Sequence, residues 1–311
     1  MDQTSYTIPN TIAEALHRAR QCAGDYIYLG GGTDILALGK HGLSRPAHRI
    51  DLSRISELAQ VMATEDTIEI GSMVTLDGIL SSKAIAVRYP LIAQAAQSVA
   101  TPVIRKSATL GGNLLVKNRC TFYNQSSEWR ETAGGCLREG GDTCRITGTQ
   151  AGCYSRNVSD LAAALIALDA RIAVVHQQGQ ATFPLADLYA PDGIHTHRGL
   201  SDDAILVRIA ISMQPVSWWY RKLRLRRSID FTSLTVAATV DRQRVARFCT
   251  NGVSMAPVLV QGSLDGLTPD GLAKRVRQAC NIVDNDLLPR EYRREMLGLY
   301  LSEWWKSVAG T

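Results

Sequence analysis

The chain has 311 residues, about twice the ~150 of a typical domain, so two domains or one large domain with an appendage is expected. Hydrophobic residues make up 45% and charged residues 20%, enough apolar material to bury a core, which excludes disordered and fibrous classes. The 34 basic against 29 acidic side chains give too mild an excess for a nucleic-acid-binding face, no apolar run reaches the ~18 residues of a membrane span, and the N-terminus lacks the apolar core of a secretory signal; a cytoplasmic protein with neither a nucleic-acid nor a membrane partner is expected.

In chain order, residues 9 to 23 read as an amphipathic helix with Thr11 as N-cap and Ile12, Ala15 and Leu16 on one face. A short apolar strand, Tyr26 to Leu29, runs into Gly30-Gly31-Gly32-Thr33-Asp34. Strands are expected at His48 to Leu52 and Thr67 to Gly71, then a helix start at Thr75-Leu76 and a helix from Pro90 to Val99. A second glycine pair, Gly111-Gly112-Asn113, lies within Ala108 to Leu115. Residues 117 to 157 show little periodicity, and a structureless loop of that length calls for some other means of stabilisation, such as a metal. Beyond it come a helix at Asp160 to Ala170 and a strand at Arg171 to His176. Strands follow at Ala204 to Met213, Ser217 to Arg224, Leu234 to Val240 and Arg247 to Val253, and helices at Thr268 to Val283 and Pro289 to Val308. The change from mixed elements to a meander capped by helices places a domain boundary near Pro215.

The first glycine loop lacks the GxGxxG spacing of a dinucleotide fingerprint. Successive glycines nevertheless let backbone N–H groups converge on an anion, because no Cβ blocks close approach. A plain strand-to-helix turn is the competing account of either loop taken singly. Two such loops, each after an apolar stretch, suggest one diphosphate held from two sides.

Cys120, Cys136, Cys144 and Cys153 crowd into 34 residues, while Cys22, Cys249 and Cys280 stand alone and read as small buried side chains. The spacings of 16, 8 and 9 match neither a zinc ribbon nor a bacterial ferredoxin run, yet four thiolates can surround zinc or a [4Fe–4S] cluster, and spacing does not choose. The six histidines are scattered; His195 and His197 read as a surface loop, and no Ser/His/Asp or Cys/His catalytic constellation stands out. The basic, aromatic-rich stretch from Trp218 to Arg227 reads as a solvated strand edge or as a dock for an acidic partner.

The segments YLGGGTDIL (28 to 36), ATLGGNLL (108 to 115), SDLAAALIALDA (159 to 170) and KLRLRRSIDF (222 to 231) resemble, in order over nearly the whole chain, the FAD-binding medium subunit of molybdenum hydroxylases, the family of xanthine dehydrogenase and carbon monoxide dehydrogenase. The resemblance implies an α+β fold: a two-subdomain FAD-binding domain of the vanillyl-alcohol-oxidase (PCMH) type over 1–215, with 117–157 as an inserted iron–sulfur loop, and a smaller α+β C-terminal domain over 216–311. It also implies that Leu29, Gly30, Gly31, Gly32, Thr33, Asp34, Ile35 and Leu36 meet the cofactor together with Thr75, Thr109, Gly111, Gly112, Asn113 and Leu114. Asp160 matches an acidic residue near the flavin ribityl and ring, and Lys222 a lysine reaching the flavin from the second domain. Ser159 departs from the glycine that the family often has there.

The stretch RCTFYNQSSEWRETAGGCLREGGDTC (119 to 144), with Cys153 beyond it, is similar to an insertion in the β subunit of 4-hydroxybenzoyl-CoA reductases, which implies a [4Fe–4S] cluster on the four cysteines. An electron-transfer subunit is then implied, partnered by a large subunit with the molybdenum cofactor and a small subunit with [2Fe–2S] clusters, in a dimer of heterotrimers. Reduced ferredoxin would supply the electrons for dehydroxylation of 4-hydroxybenzoyl-CoA to benzoyl-CoA. Two alternatives stay open: the flavin subunit of a hydroxylase oxidising an aldehyde or N-heterocycle, and a loop stapled by structural zinc.

Overall fold

A computed structural model describes residues 5–227 and 229–309, and it is built from three sheets. The first is small and parallel, with β1 (Ser5–Thr7), β2 (Tyr26–Leu29) and β3 (His48–Asp51) in the order β1-β3-β2. Parallel neighbours need crossovers, and the Ile12–Gln21 helix supplies the first. Thr11 Oγ1 accepts from the Glu14 N–H at 3.1 Å while the Glu14 carboxylate accepts from the Asn10 N–H, so local chemistry starts that helix where the sequence expects it. The first glycine loop leaves the C-terminal end of β2 and enters the Ile35–Lys40 helix, the position at which open α/β sheets present ligand-binding loops.

The second sheet is antiparallel, with β4 (Val61–Ala63), β5 (Ile68–Gly71), β6 (Arg171–His176), β7 (Gly179–Pro184) and β8 (Ile205–Ile211) in the order β4-β5-β8-β6-β7. The third is an antiparallel meander, β9 (Ser217–Leu223), β10 (Leu234–Val240), β11 (Val245–Asn251) and β12 (Val258–Ser263), in the order β12-β11-β10-β9. All seven residues of β10 are buried, so both of its faces are covered. One side holds Trp304, fully buried and edge-on to Phe248 at 5.5 Å, from the C-terminal helix Arg290–Ala309. The other side carries the Asp160–Ala167 helix.

That helix is the centre of the molecule. Every residue of DLAAALIA is buried, because strands β10 and β11 and the helices Pro90–Gln97 and Leu110–Leu114 pack around it. Its alanines permit close approach, while Leu161, Leu165 and Ile166 fill the space, each contributing about 1.5–3 kcal/mol by burial.

Several elements lie outside the sequence reading. Strands β1, β4, β7 and β12 and the short helices Lys83–Arg88 and Pro102–Arg105 were not expected. The loop at 117–157 is not structureless: it holds the helix Ser127–Thr132 and a 3₁₀ turn at Leu137–Glu139. Its base is closed by reciprocal 2.9 Å backbone hydrogen bonds between Arg119 and Arg156. The buried Arg130 guanidinium donates to the Tyr123 and Gln125 carbonyls and to Glu139, so hydrogen bonds already give the loop a framework of its own. No described helix is long and apolar enough to cross a membrane.

Candidate functional site

The two glycine loops meet. A Cβ on Gly31 would stand 1.6 Å from the Ser107 carbonyl oxygen, and one on Gly30 2.7 Å from Thr109 Oγ1, so only glycine lets the first loop lie against the segment leading into the second. Gly32 has φ +68°, the left-handed backbone that glycine adopts without steric cost. Between the loops lies a cavity of about 340 Å³, within the range of small-molecule sites.

Of the residues expected at the cofactor, Gly30, Gly31, Gly32, Thr33, Asp34, Ile35, Thr109, Gly111, Gly112, Asn113 and Asp160 line this cavity. Five do not. Leu29 and Leu114 are buried in the core, and Leu36 is exposed. Thr75 caps the Leu76–Ser81 helix and bridges to Thr109. Lys222 stands behind the wall, where its ammonium donates to Asp160 Oδ2 at 2.6 Å and to the Ser98 carbonyl at 3.1 Å. Burial pushes the Asp160 carboxyl up while Lys222 and the Thr235 hydroxyl, 3.0 Å from Oδ1, hold it down. Lys222 therefore acts on the cavity through Asp160.

The loops differ in what they offer. The N–H groups of Gly31, Gly32, Thr33 and Asp34 make no hydrogen bond among the described residues and are free for an anion. In the second loop the N–H groups of Leu110, Gly111, Gly112 and Asn113 are bound to the Val74 carbonyl, the Ser72 carbonyl, Thr109 Oγ1 and the Thr109 carbonyl. That loop shapes the wall; the first supplies the donors. Ser159 has a structural reason: its hydroxyl caps the Asp160–Ala167 helix and donates to Asn113 Oδ1 at 2.8 Å, tying the second loop to the central helix.

The four clustered cysteines are buried and line one small cavity together with Phe122, Tyr123, Leu137, Arg138, Arg145 and Ile146. Two guanidinium groups lie over the Tyr123 ring, Arg130 at 5.0 Å and Arg138 at 4.0 Å from its centroid. Burial pushes the Cys120 and Cys136 thiols up, opposed by backbone N–H groups of Phe122 and Tyr123 at the one and Arg138 at the other. At Cys144 burial is outweighed by the Thr147 hydroxyl and the N–H groups of Ile146, Thr147 and Tyr154, which bring the thiol below its usual range. N–H groups aimed at sulfur suit thiolate ligands. The thiols do not close a ready shell: no group of three or more His, Cys, Asp or Glu among the described residues is arranged to hold a metal ion.

The two cavities are neighbours, since Lys117 lines the first and Cys120 the second. Arg119 between them pairs with Asp34 of the first glycine loop and lies 4.9 Å from the Phe231 ring centroid. Away from both, Cys249 is buried and its thiol is raised strongly by burial, while Cys280 is pushed up to about 11 for the same reason. His195 is exposed as expected and pairs with Asp192. His197 is less exposed than expected: it is half-buried against Tyr189, and burial lowers it to about 4.

Residues 2–213 match the family model described as the FAD binding domain in molybdopterin dehydrogenase. The chain belongs to this family. It is 28% identical over 275 residues to the aldehyde oxidoreductase FAD-binding subunit PaoB of Escherichia coli (strain K12), a match covering 85% of each chain. It is 34% identical over 109 residues to the carbon monoxide dehydrogenase medium chain of Hydrogenophaga pseudoflava, covering 35% of this chain and 38% of that one. In fold it superposes with TM-score 0.74 on a chain of a carbon monoxide dehydrogenase structure from the same organism, at 21% identity and covering 97% and 95% of the two chains. The family is one that binds FAD, and a glycine cradle with free amides beside a buried carboxylate in the first cavity fits that cofactor.

Proposed function

We propose that this chain is the electron-transfer subunit of a molybdenum hydroxylase-type complex, holding FAD between its glycine loops and a [4Fe–4S] cluster among Cys120, Cys136, Cys144 and Cys153. The observation that carries the reading is the adjacency of the two cavities. Lys117 and Cys120 are three residues apart, at most about 11 Å of chain. Flavin exchanges electrons in pairs or singly and an iron–sulfur cluster singly, which suits a relay. The chain's own residues would bind and orient: the unbound amides of Gly31 to Asp34 would receive the diphosphate, Asp160, held by Lys222, would border the flavin, and backbone N–H groups would stabilise thiolate ligands. On this reading 1–215 is the FAD-binding domain, 216–311 the C-terminal one, and substrate chemistry belongs to a molybdenum-bearing large subunit with a [2Fe–2S] small subunit, as a dimer of heterotrimers.

The relative covering 85% of both chains is an aldehyde oxidoreductase subunit, which favours aldehyde oxidation with electrons flowing outward through this chain. Among the exposed charges of residues 120–153, Glu128, Glu131 and Asp142 outnumber Arg145, with Glu139 paired to Arg130, so an acidic donor would be repelled there. The second reading, inward flow from reduced ferredoxin for dehydroxylation of 4-hydroxybenzoyl-CoA, is favoured by the resemblance of residues 119–144 and needs the donor to dock elsewhere, at the basic edge strand β9. The complex purified with its partner subunits, assayed with benzaldehyde and an artificial acceptor and separately with 4-hydroxybenzoyl-CoA and reduced ferredoxin, distinguishes the two. Turnover of aldehyde alone is the expected result, and turnover of the thioester alone reverses the direction. Turnover of neither overturns both.

A further inference from the structure

The cavity between the glycine loops has four charged side chains in its wall: Asp34, Lys117, Asp160 and Asp230. Each carboxylate has its own cation within the protein, Arg119 for Asp34, Lys222 for Asp160 and Arg226 for Asp230. Lys117 has none: among the described residues its ammonium makes neither an ion pair nor a hydrogen bond. The wall therefore presents one uncommitted charge, and it is positive.

We infer that Lys117 is a cofactor-binding residue, its ammonium supplying the counter-charge for the FAD diphosphate. The inference rests on FAD occupying this cavity and adds a residue that none of the motifs includes. A diphosphate brings two negative charges, and the second glycine loop cannot share them, since its amides are already bound. The first loop offers neutral N–H groups only. Lys117 lines the cavity while staying exposed enough to meet an incoming anion, and the neighbouring Arg138 and Arg119 guanidiniums add to the positive field there. A primary ammonium on a flexible stem suits a phosphate as a point charge.

The test uses the full chain stripped of flavin, titrated with FAD by fluorescence quenching, with ADP as competitor because it carries the diphosphate without the flavin. Lys117→Gln is expected to weaken FAD binding and ADP competition together, each by about tenfold, the loss of one charge-assisted hydrogen bond. Lys117→Arg is expected to stay within about threefold, since the charge is kept. Lys117→Gln binding FAD as tightly as the unaltered chain overturns the inference. So does a loss of FAD affinity with ADP competition unchanged, which moves the contact to the flavin. Strong FAD binding by the unaltered chain, measured alongside, separates failure of the inference from failure of the cavity assignment. Should Lys117→Gln not fold, the wild-type chain decides: ADP competition that weakens with added salt supports a charged contact, and salt-independent competition overturns it.

Discussion

At Gly31 a single missing Cβ sets how close two loops can come, and the consequence is sharper than the glycine count alone would give. Gly31→Ala places an atom against the Ser107 carbonyl, so the loops must part, and purified protein is expected to lose most of its FAD. Gly112→Ala meets only Thr109 Oγ1, at 3.0 Å, and is expected to keep most of it. Flavin absorbance against protein concentration reads both; equal retention in the two variants would contradict the packing. The glycine runs were legible in the sequence because they are rare residue patterns, whereas only the family resemblance singles out Asp160. The division of labour between the loops was not legible, since it depends on which amides the fold has already used. Lys117 was invisible for a related reason: a lone lysine outside every motif gains meaning only when the other three wall charges are seen to be paired.

The Asp160–Ala167 helix shows what an element can reveal in advance. An uninterrupted apolar run announces a helix buried on all sides, and the structure wraps it in strands and helices. Leu165→Ala, at a fully buried site, is expected to destabilise the chain by about 2–5 kcal/mol in urea denaturation. At the head of the helix, Lys222→Met strands the Asp160 carboxylate in the interior, with an expected loss of about 3–5 kcal/mol. Asp160→Asn added to Lys222→Met should recover much of it, and no recovery would mean that the lysine matters for packing rather than charge. Other elements gave little signal. Strands β1 and β4 have three residues each, too few for any period, and β7, GQATFP, is an exposed edge strand whose inner face offers only Ala181 and Phe183. The Ser127–Thr132 helix exists through its Ser126 cap and the buried Arg130, local hydrogen bonds that leave no hydrophobic pattern.

Across the molecule, the pairing of a mixed N-terminal part with a meander capped by helices was readable from composition and spacing, while the meeting of distant segments around one cavity was not. His197 illustrates the difference: its neighbours in sequence are polar, yet it is held against Tyr189, and burial lowers it to about 4. The unfolded chain takes up that proton near the ordinary value of about 6.5, whereas the folded chain resists until about 4, so stability falls as pH drops through this window. Urea midpoints at pH 7 and pH 5 should show the fall, and His197→Gln should reduce it; an unchanged slope would place the proton uptake elsewhere. On the proposed reading the four buried cysteines matter most to the whole, because a cluster among them would make the chain a relay and not only a flavin holder. Flavin, iron and acid-labile sulfide measured on protein purified without oxygen test this directly. One FAD with four irons and four sulfides per chain is the expected content, and one FAD with zinc, or with no iron, contradicts the relay.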